Sequence, residues 1–331
     1  MESWRLLWLL VPVFAGPVMR RDGCGTRTPI MLVQPAASNH SHARPSSLLQ
    51  LASGVQPCGI RANQHCEEPR SKGTPRAAVY TYNLGGYEEP RGFQVPCVPP
   101  DVDAFLFLDE VTQRKAPKAA LDRWKGQGWQ LKLLPLQRGT RYVSSERLTS
   151  KSLKFTPPSW LTASYDWLIG YDHDMTINLH RLTDFLREHD DKPLLMLKWY
   201  WRPCEDAFDC MLWEINDMLT KRPEYVKSSR RNVQHWKELM TTLHSAAAPF
   251  SPPHYYESCI IFRNLKHERA DAVKTAFERT YNMTHDIQRD QFLLPYYLWR
   301  EALSPQLQAL HLSDLQEKLD FCSVPTKRKR N

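Results

Sequence analysis

Several common catalytic signatures are missing from this sequence. It contains no GxSxG elbow, no HExxH pair, no Walker loop and no GxGxxG turn. Nucleophile-elbow hydrolysis, zincin chemistry, P-loop phosphate binding and Rossmann dinucleotide binding therefore have no motif to rest on. None of the eight cysteines sits in a doubled CxxC, which removes a structural zinc site. Internal repeats and long low-complexity tracts are also absent, so repeat architectures are set aside. The apolar run Leu6 to Met19 is 14 residues long, short of the roughly 20 that span a membrane comfortably. Acidic residues are the scarcer charge, 36 against 44 basic ones, and the net charge of +8 favours anionic partners.

The remaining features bear first on compartment. The apolar run suits the core of a signal peptide, with Val13-Phe14-Ala15 offering small residues for cleavage after Ala15. Its rival is the short anchor of a type II membrane protein, with membrane anchoring by this N-terminal segment. Cysteines 24, 58, 66, 97, 204, 210, 259 and 322 form an even set able to pair in an oxidising lumen. Asn39-His40-Ser41 and Asn282-Met283-Thr284 are glycosylation sequons. These features point to the secretory pathway, in the Golgi lumen or secreted. The tail Lys327-Arg328-Lys329-Arg330 resembles a nuclear-import patch, but beside the leader and sequons it reads as a solvated basic tail. Nucleic acid is not among the expected partners.

Composition divides the chain into a leader (1–19), a stem or linker (20–76), a folded domain (77–322) and a basic tail (323–331). The stem is rich in Pro, Ser, Gly, Arg and Gln, and Cys58 with Cys66 is a candidate staple for it. From Ala77 onward strand-length apolar runs recur: AAVYTY (77–82), DAFLFLDE (103–110), WQLKLL (129–134), DWLIGY (166–171), LLMLKW (194–199) and CIIF (259–262). Helical periodicity separates several of them. Leu179, Leu182 and Leu186 follow an N-cap at Asn178 or Thr176. Phe208, Met211, Leu212, Ile215 and Leu219 mark a second helix, and Val273, Phe277 and Tyr281 a third. Alternating strands and helices predict an α/β sandwich with a mostly parallel central sheet. In such sheets ligands lie beyond the carboxyl ends of the strands.

The candidate chemistry collects there. Asp172 and Asp174 flank His173 where an apolar strand ends. On an extended segment, residues i and i+2 point to one side. Two carboxylates so placed repel unless a cation sits between them, and Mg²⁺ or Mn²⁺ takes one or two carboxylates plus substrate phosphates. The pair is therefore the expected metal clamp, with His173 a spacer. Asp109 and Glu110 close another strand and read as a solvated strand end, with Asp109 a candidate to join the site. Arg is the bidentate partner of phosphate, which singles out Arg202 among aromatic residues, Arg263 after CIIF, and Arg289. Tyr80 in the first strand completes the donor- and phosphate-binding set. Asp290, between Arg289 and Gln291, is the candidate general base for a sugar hydroxyl. The turn LGGYEE (84–89) offers close backbone approach.

VYTYNLGGYEE, VDAFLFLDE, the lysines of TSKSLKF, YDWLIGYDHDMTI, WYWRPCED, YYESCIIFRN and RDQFLLPYYL resemble, in this order, the TOD1/MUCI70 glycosyltransferase-like family, known by its DUF616 domain. The resemblance runs over roughly residues 79–300. It implies a GT-A-like nucleotide-diphospho-sugar transferase fold, often behind an N-terminal membrane anchor. The activity implied is metal-assisted transfer of a sugar from a nucleotide-sugar donor to a glycan or glycoprotein acceptor. Asp172 matches the aspartate ending the family's central strand, and Arg202, Arg263 and Arg289-Asp290-Gln291 match its later polar motifs. The family commonly shows Asp-Gly-x or Asp-Ala-Asn at this strand end, so Asp174 is this chain's own variation, and a usual His appears here as Lys198 or Trp199. A glycan- or nucleotide-sugar-binding relative without activity is the second reading.

Overall fold

A computed structural model describes residues 76–86, 93–199, 204, 206–221, 229–246, 250, 252, 254–287 and 289–323. The leader, nearly all of the stem with Cys58 and Cys66, Arg202 and the basic tail beyond Ser323 lie outside them. Among the described residues no helix is long and apolar enough to cross a membrane.

The chain alternates strands and helices as its periodicity predicts. The strands are β1 (Ala77–Asn83), β2 (Val102–Leu108), β3 (Trp129–Leu133), β4 (Trp167–Tyr171), β5 (Met175–Thr176), β6 (Leu194–Lys198), β7 (Tyr256–Asn264), β8 (Gln308–Leu310) and β9 (Cys322–Ser323). The helices are α1 (Glu110–Lys115), α2 (Lys118–Gly126), α3 (Ser145–Phe155), α4 (Ser159–Ser164), α5 (Leu182–Arg187), α6 (Ala207–Thr220), α7 (Arg230–His244), α8 (Ala270–Thr284), α9 (Leu294–Arg300) and α10 (Leu312–Leu319). Asn178 caps the short 3₁₀ turn before α5.

Seven strands form one sheet in the order β3-β2-β1-β4-β7-β6-β8. Neighbours β1 and β2, β2 and β3, β1 and β4, and β6 and β8 are parallel. Strand β7 runs antiparallel to both β4 and β6. Its central strands β1, β4 and β7 are buried on both faces. Along β1, Val79 joins one apolar cluster while Ala78 and Tyr80 join another, and in β4 Ile169 and Leu168 divide the same way. Period-two side chains and helices on both faces require that division. The predicted α/β sandwich with a mostly parallel sheet is therefore the observed architecture.

Two consequences of register position the site. Tyr80 lies opposite Gly170, so Tyr82, two residues on, reaches the end of β4. Antiparallel β7 places Ile260 opposite Tyr171, which brings its first residues to the rim where the parallel strands end. Ser258 thus reaches the carboxyl rim from the opposite direction.

Gly170 is the tight point of this arrangement. A Cβ there would run into Cζ and Oη of Tyr80, whose ring is fully buried. Gly170→Ala is expected to cost about 2 kcal/mol through overpacking, read as a lower urea midpoint with an unchanged m-value.

Candidate functional site

Helix α3 starts with Ser144, whose hydroxyl accepts from the Arg147 amide, and its Leu148, Leu153 and Phe155 are buried. That face fixes the rotation of the helix, so Lys151 and Lys154, one turn apart, are both carried to the rim. Like charges at this spacing disfavour an isolated helix. Here each finds a carboxylate.

Lys154 Nζ lies 2.9 Å from Asp172 Oδ1 and 3.1 Å from Oδ2, and 3.4 Å from Ser258 Oγ. Tyr82 donates its hydroxyl to Asp172 Oδ1 at 2.6 Å. Lys151 Nζ donates to Asp290 Oδ1, and Ser258 donates to Asp290 Oδ2 at 3.0 Å. Ser258 therefore joins two ion pairs into one network drawn from β1, α3, β4, β7 and the segment before α9. Asp290 is 1% exposed and Lys154 9%, while the Lys151 and Asp172 side chains keep 14% and 25%. The network is buried at its base and open above the second pair of groups.

Burial sets the proton affinities in this network, modified by its charges. It works against the charge of Lys154, but Asp172 and Asp290 outweigh it and raise the pKa above the usual lysine value. Burial also pulls Lys151 down, to about 8, with the like charge of Lys154 adding to the effect and Asp290 opposing it. Asp290 is held well below the ordinary carboxylate range: its own burial pushes the other way, but Lys151 and Lys154 prevail. Burial and Asp172 together raise the Tyr82 phenol, which stays a donor.

The predicted site residues divide on this geometry. Asp172 and Asp290 are brought into one network. The stretch after β4 is a turn, however, with the Met175 amide bonded to the Asp172 carbonyl at 3.0 Å. The extended geometry that would aim Asp172 and Asp174 to one side is therefore replaced by a turn. His173 lies beside the Tyr82 ring, centroids 6.3 Å apart. Asp109 is not a solvated strand end: it is 2% exposed, caps α1 through the Thr112 amide at 3.1 Å and accepts from Gly85 N at 3.0 Å. Gly85 and Gly86 have φ of 69° and 64°, the left-handed region the turn needs.

Arg263 and Arg289 are engaged within the fold. Arg263 is 5% exposed. It donates to the Lys154 carbonyl and, at 3.2 Å, to Tyr80 Oη, and its guanidinium lies 4.6 Å over Phe277. A cation closing the C-terminus of α3 is favourable, and this one is committed to the core rather than to a phosphate. Tyr80 does similar work, donating to the Leu153 carbonyl at 2.8 Å. Arg289 pairs with buried Glu214 of α6 at 3.3 Å. Gln291 donates to Glu257 at 2.5 Å. The residues that sequence reasoning missed are Lys151, Lys154, Ser258 and Tyr82. The available signal was the Lys-x-x-Lys spacing on one helix.

A divalent ion does not fit the donors present. Both oxygens of Asp172 are taken by an ammonium and a phenol, and both of Asp290 by an ammonium and a hydroxyl. Among the described residues no three His, Cys, Asp or Glu side chains gather where an ion could sit. Cys204 and Cys210 form a disulfide at the start of α6. Cys259 is a buried thiol whose pKa burial pushes up.

No family model and no curated protein matches the chain. Among solved structures it is similar to the apo form of WbbM, a bifunctional glycosyltransferase, at 11% identity and TM-score 0.40 over 73% of this chain. The chain spans 40% of the length of that protein. It is also similar to the galactosyltransferase LgtC in complex with donor and acceptor sugar analogues, at 10% identity and TM-score 0.37 over 70% of this chain and 72% of that one. An active-site mutant of LgtC gives 11% identity and TM-score 0.36 over the same shares. Overlaps of this size are likeness alone; the α/β assignment rests on the sheet itself.

Two outcomes test the network. Lys154→Met leaves Asp172 without its cation and is expected to cost about 3 kcal/mol, whereas Lys154→Met with Asp172→Asn recovers most of that loss in urea unfolding. Lys151, whose pKa is lower folded (about 8) than unfolded, binds fewer protons folded than unfolded between pH 8 and the ordinary lysine value of 10.5. Its contribution to stability therefore rises with pH in that window. The stability difference between wild type and Lys151→Gln/Asp290→Asn should grow from pH 8 to pH 9.5.

Proposed function

We propose that this chain is a glycosyltransferase of the GT-A-like kind, related to the TOD1/MUCI70 family. It would move a sugar from a nucleotide-sugar donor to a glycan or glycoprotein acceptor in the secretory pathway. The observation that carries this reading is the pair of lysines held by Asp172 and Asp290 at the carboxyl rim of a mostly parallel sheet, where such sheets take ligands. The leader and the sequons support the compartment, and Asn282 is exposed on α8.

Sugar transfer breaks the bond between the anomeric carbon and the diphosphate and forms one to an acceptor oxygen. Negative charge grows on the leaving diphosphate, and a preorganised cation stabilises it most where water is excluded. Lys151 is the partly exposed ammonium of the network and is placed for that task. Asp172 anchors Lys154 and Tyr82. Asp290, the candidate acceptor base, has its two oxygens engaged by Lys151 and Ser258 and serves as the counter-ion that fixes Lys151. One observation favours the second reading, a binding relative without turnover: each carboxylate is already matched by a lysine of the chain itself.

Release of UDP or GDP from a panel of nucleotide sugars, with and without glycan acceptors, separates the two. We expect turnover in the wild type and about a hundredfold loss in Asp172→Asn, which keeps a partner for Tyr82. Undiminished turnover in that variant rejects the role of Asp172, and donor binding without turnover in the wild type selects the second reading.

A further inference from the structure

We propose that nucleoside diphosphate binding by this chain needs no divalent ion, because Lys151, backed by Lys154, supplies the positive charge that a metal would bring. The inference rests on the sugar-nucleotide reading above and specifies how that ligand is held.

The first support is the state of the carboxylates. A hard divalent ion needs oxygen lone pairs, and in nucleotide sites the protein commonly gives one or two carboxylates. At this rim the four oxygens of Asp172 and Asp290 are all engaged by Lys154, Tyr82, Lys151 and Ser258. An ion bound to Asp172 would also sit beside the Lys154 ammonium, which is fixed 2.9 Å from the same carboxylate. Like charges at that range repel strongly in a partly buried setting.

The second support is the donor inventory of the lysines. An ammonium has three N–H donors. Lys154 spends its donors on Asp172 and Ser258. Lys151 is bonded to Asp290 alone among the described residues and keeps 14% of its side chain exposed. Its spare donors can meet phosphate oxygens as a point charge. Both lysines are also held in place beforehand. Arg263 and Tyr80 tie down the Lys154 and Leu153 carbonyls at the end of α3, so little ordering is left for the ligand to drive.

The test is calorimetric titration of the full chain with UDP, GDP, ADP and CDP, first in EDTA and then in Mn²⁺ or Mg²⁺. We expect at least one nucleotide to bind with a dissociation constant that changes less than threefold between the two conditions. In Lys151→Gln/Asp290→Asn, which retains an amide pair in place of the ion pair, binding should weaken about tenfold or more, with EDTA still without effect. Lys151→Arg should recover part of the loss. Binding that appears only with the metal overturns this inference and leaves the glycosyltransferase reading standing. Unchanged affinity in the double variant overturns the role of Lys151. Absence of binding by every nucleotide in both conditions overturns the sugar-nucleotide reading itself, and this inference with it.

Discussion

The contact between Lys154 and Asp172 constrains everything around it. Neither group tolerates burial alone, since an unpaired charge taken out of water costs several kcal/mol. Lys154 can reach Asp172 only if α3 lies across the rim with its apolar face down. Asp172 can receive it only if β4 ends there. Tyr82 and Ser258 then satisfy what the ion pair leaves open. Strand register, helix rotation and the turn after Tyr171 are thus coupled to one electrostatic contact.

The same coupling explains why the core on that side is so tightly determined. Tyr80 stands on Gly170 and bonds Leu153, and Arg263 spans from β7 to the end of α3 over Phe277. These groups lie beneath the ion pairs, buried against the end of α3. Polar residues buried under a charged rim fix the rim's geometry, at the cost of satisfying each of their own donors. The sequence pattern singles out Tyr80 and Arg263, and a polar residue under a candidate site and one within it look alike in one dimension.

Strand positions were legible because a strand buried on both faces needs an apolar run, and AAVYTY, DAFLFLDE, DWLIGY, LLMLKW and CIIF each supply one; WQLKLL, the partly exposed edge strand β3, alternates apolar and polar residues instead. Strand direction was not legible, since composition carries no sense of direction. The antiparallel course of β7 was therefore hidden, and with it the arrival of Ser258 at the rim. Strand β7 also begins at Tyr256, before the apolar run at Cys259, because Glu257 and Ser258 are polar yet buried. Strand β8 has three residues, too few to show a pattern. The acidic end of β4 was visible as a motif. Its partner was visible only as two lysines in TSKSLKF, some 20 residues earlier in the chain.

This gap between motif and partner bears on how an Asp-x-Asp stretch is read. In sequence, two aspartates after a strand suggest a cation, and that inference is sound electrostatics. It does not say which cation. A lysine carried in by a neighbouring helix satisfies the same charge, and does so with a covalently tethered group at high effective concentration. Such a group leaves only one positive charge where a divalent ion leaves two, and it consumes the carboxylate it pairs with. A rim built this way therefore places its spare positive potential on the second lysine. Lys151 is that residue, held by a carboxylate that stays ionised and exposed enough to meet an anion.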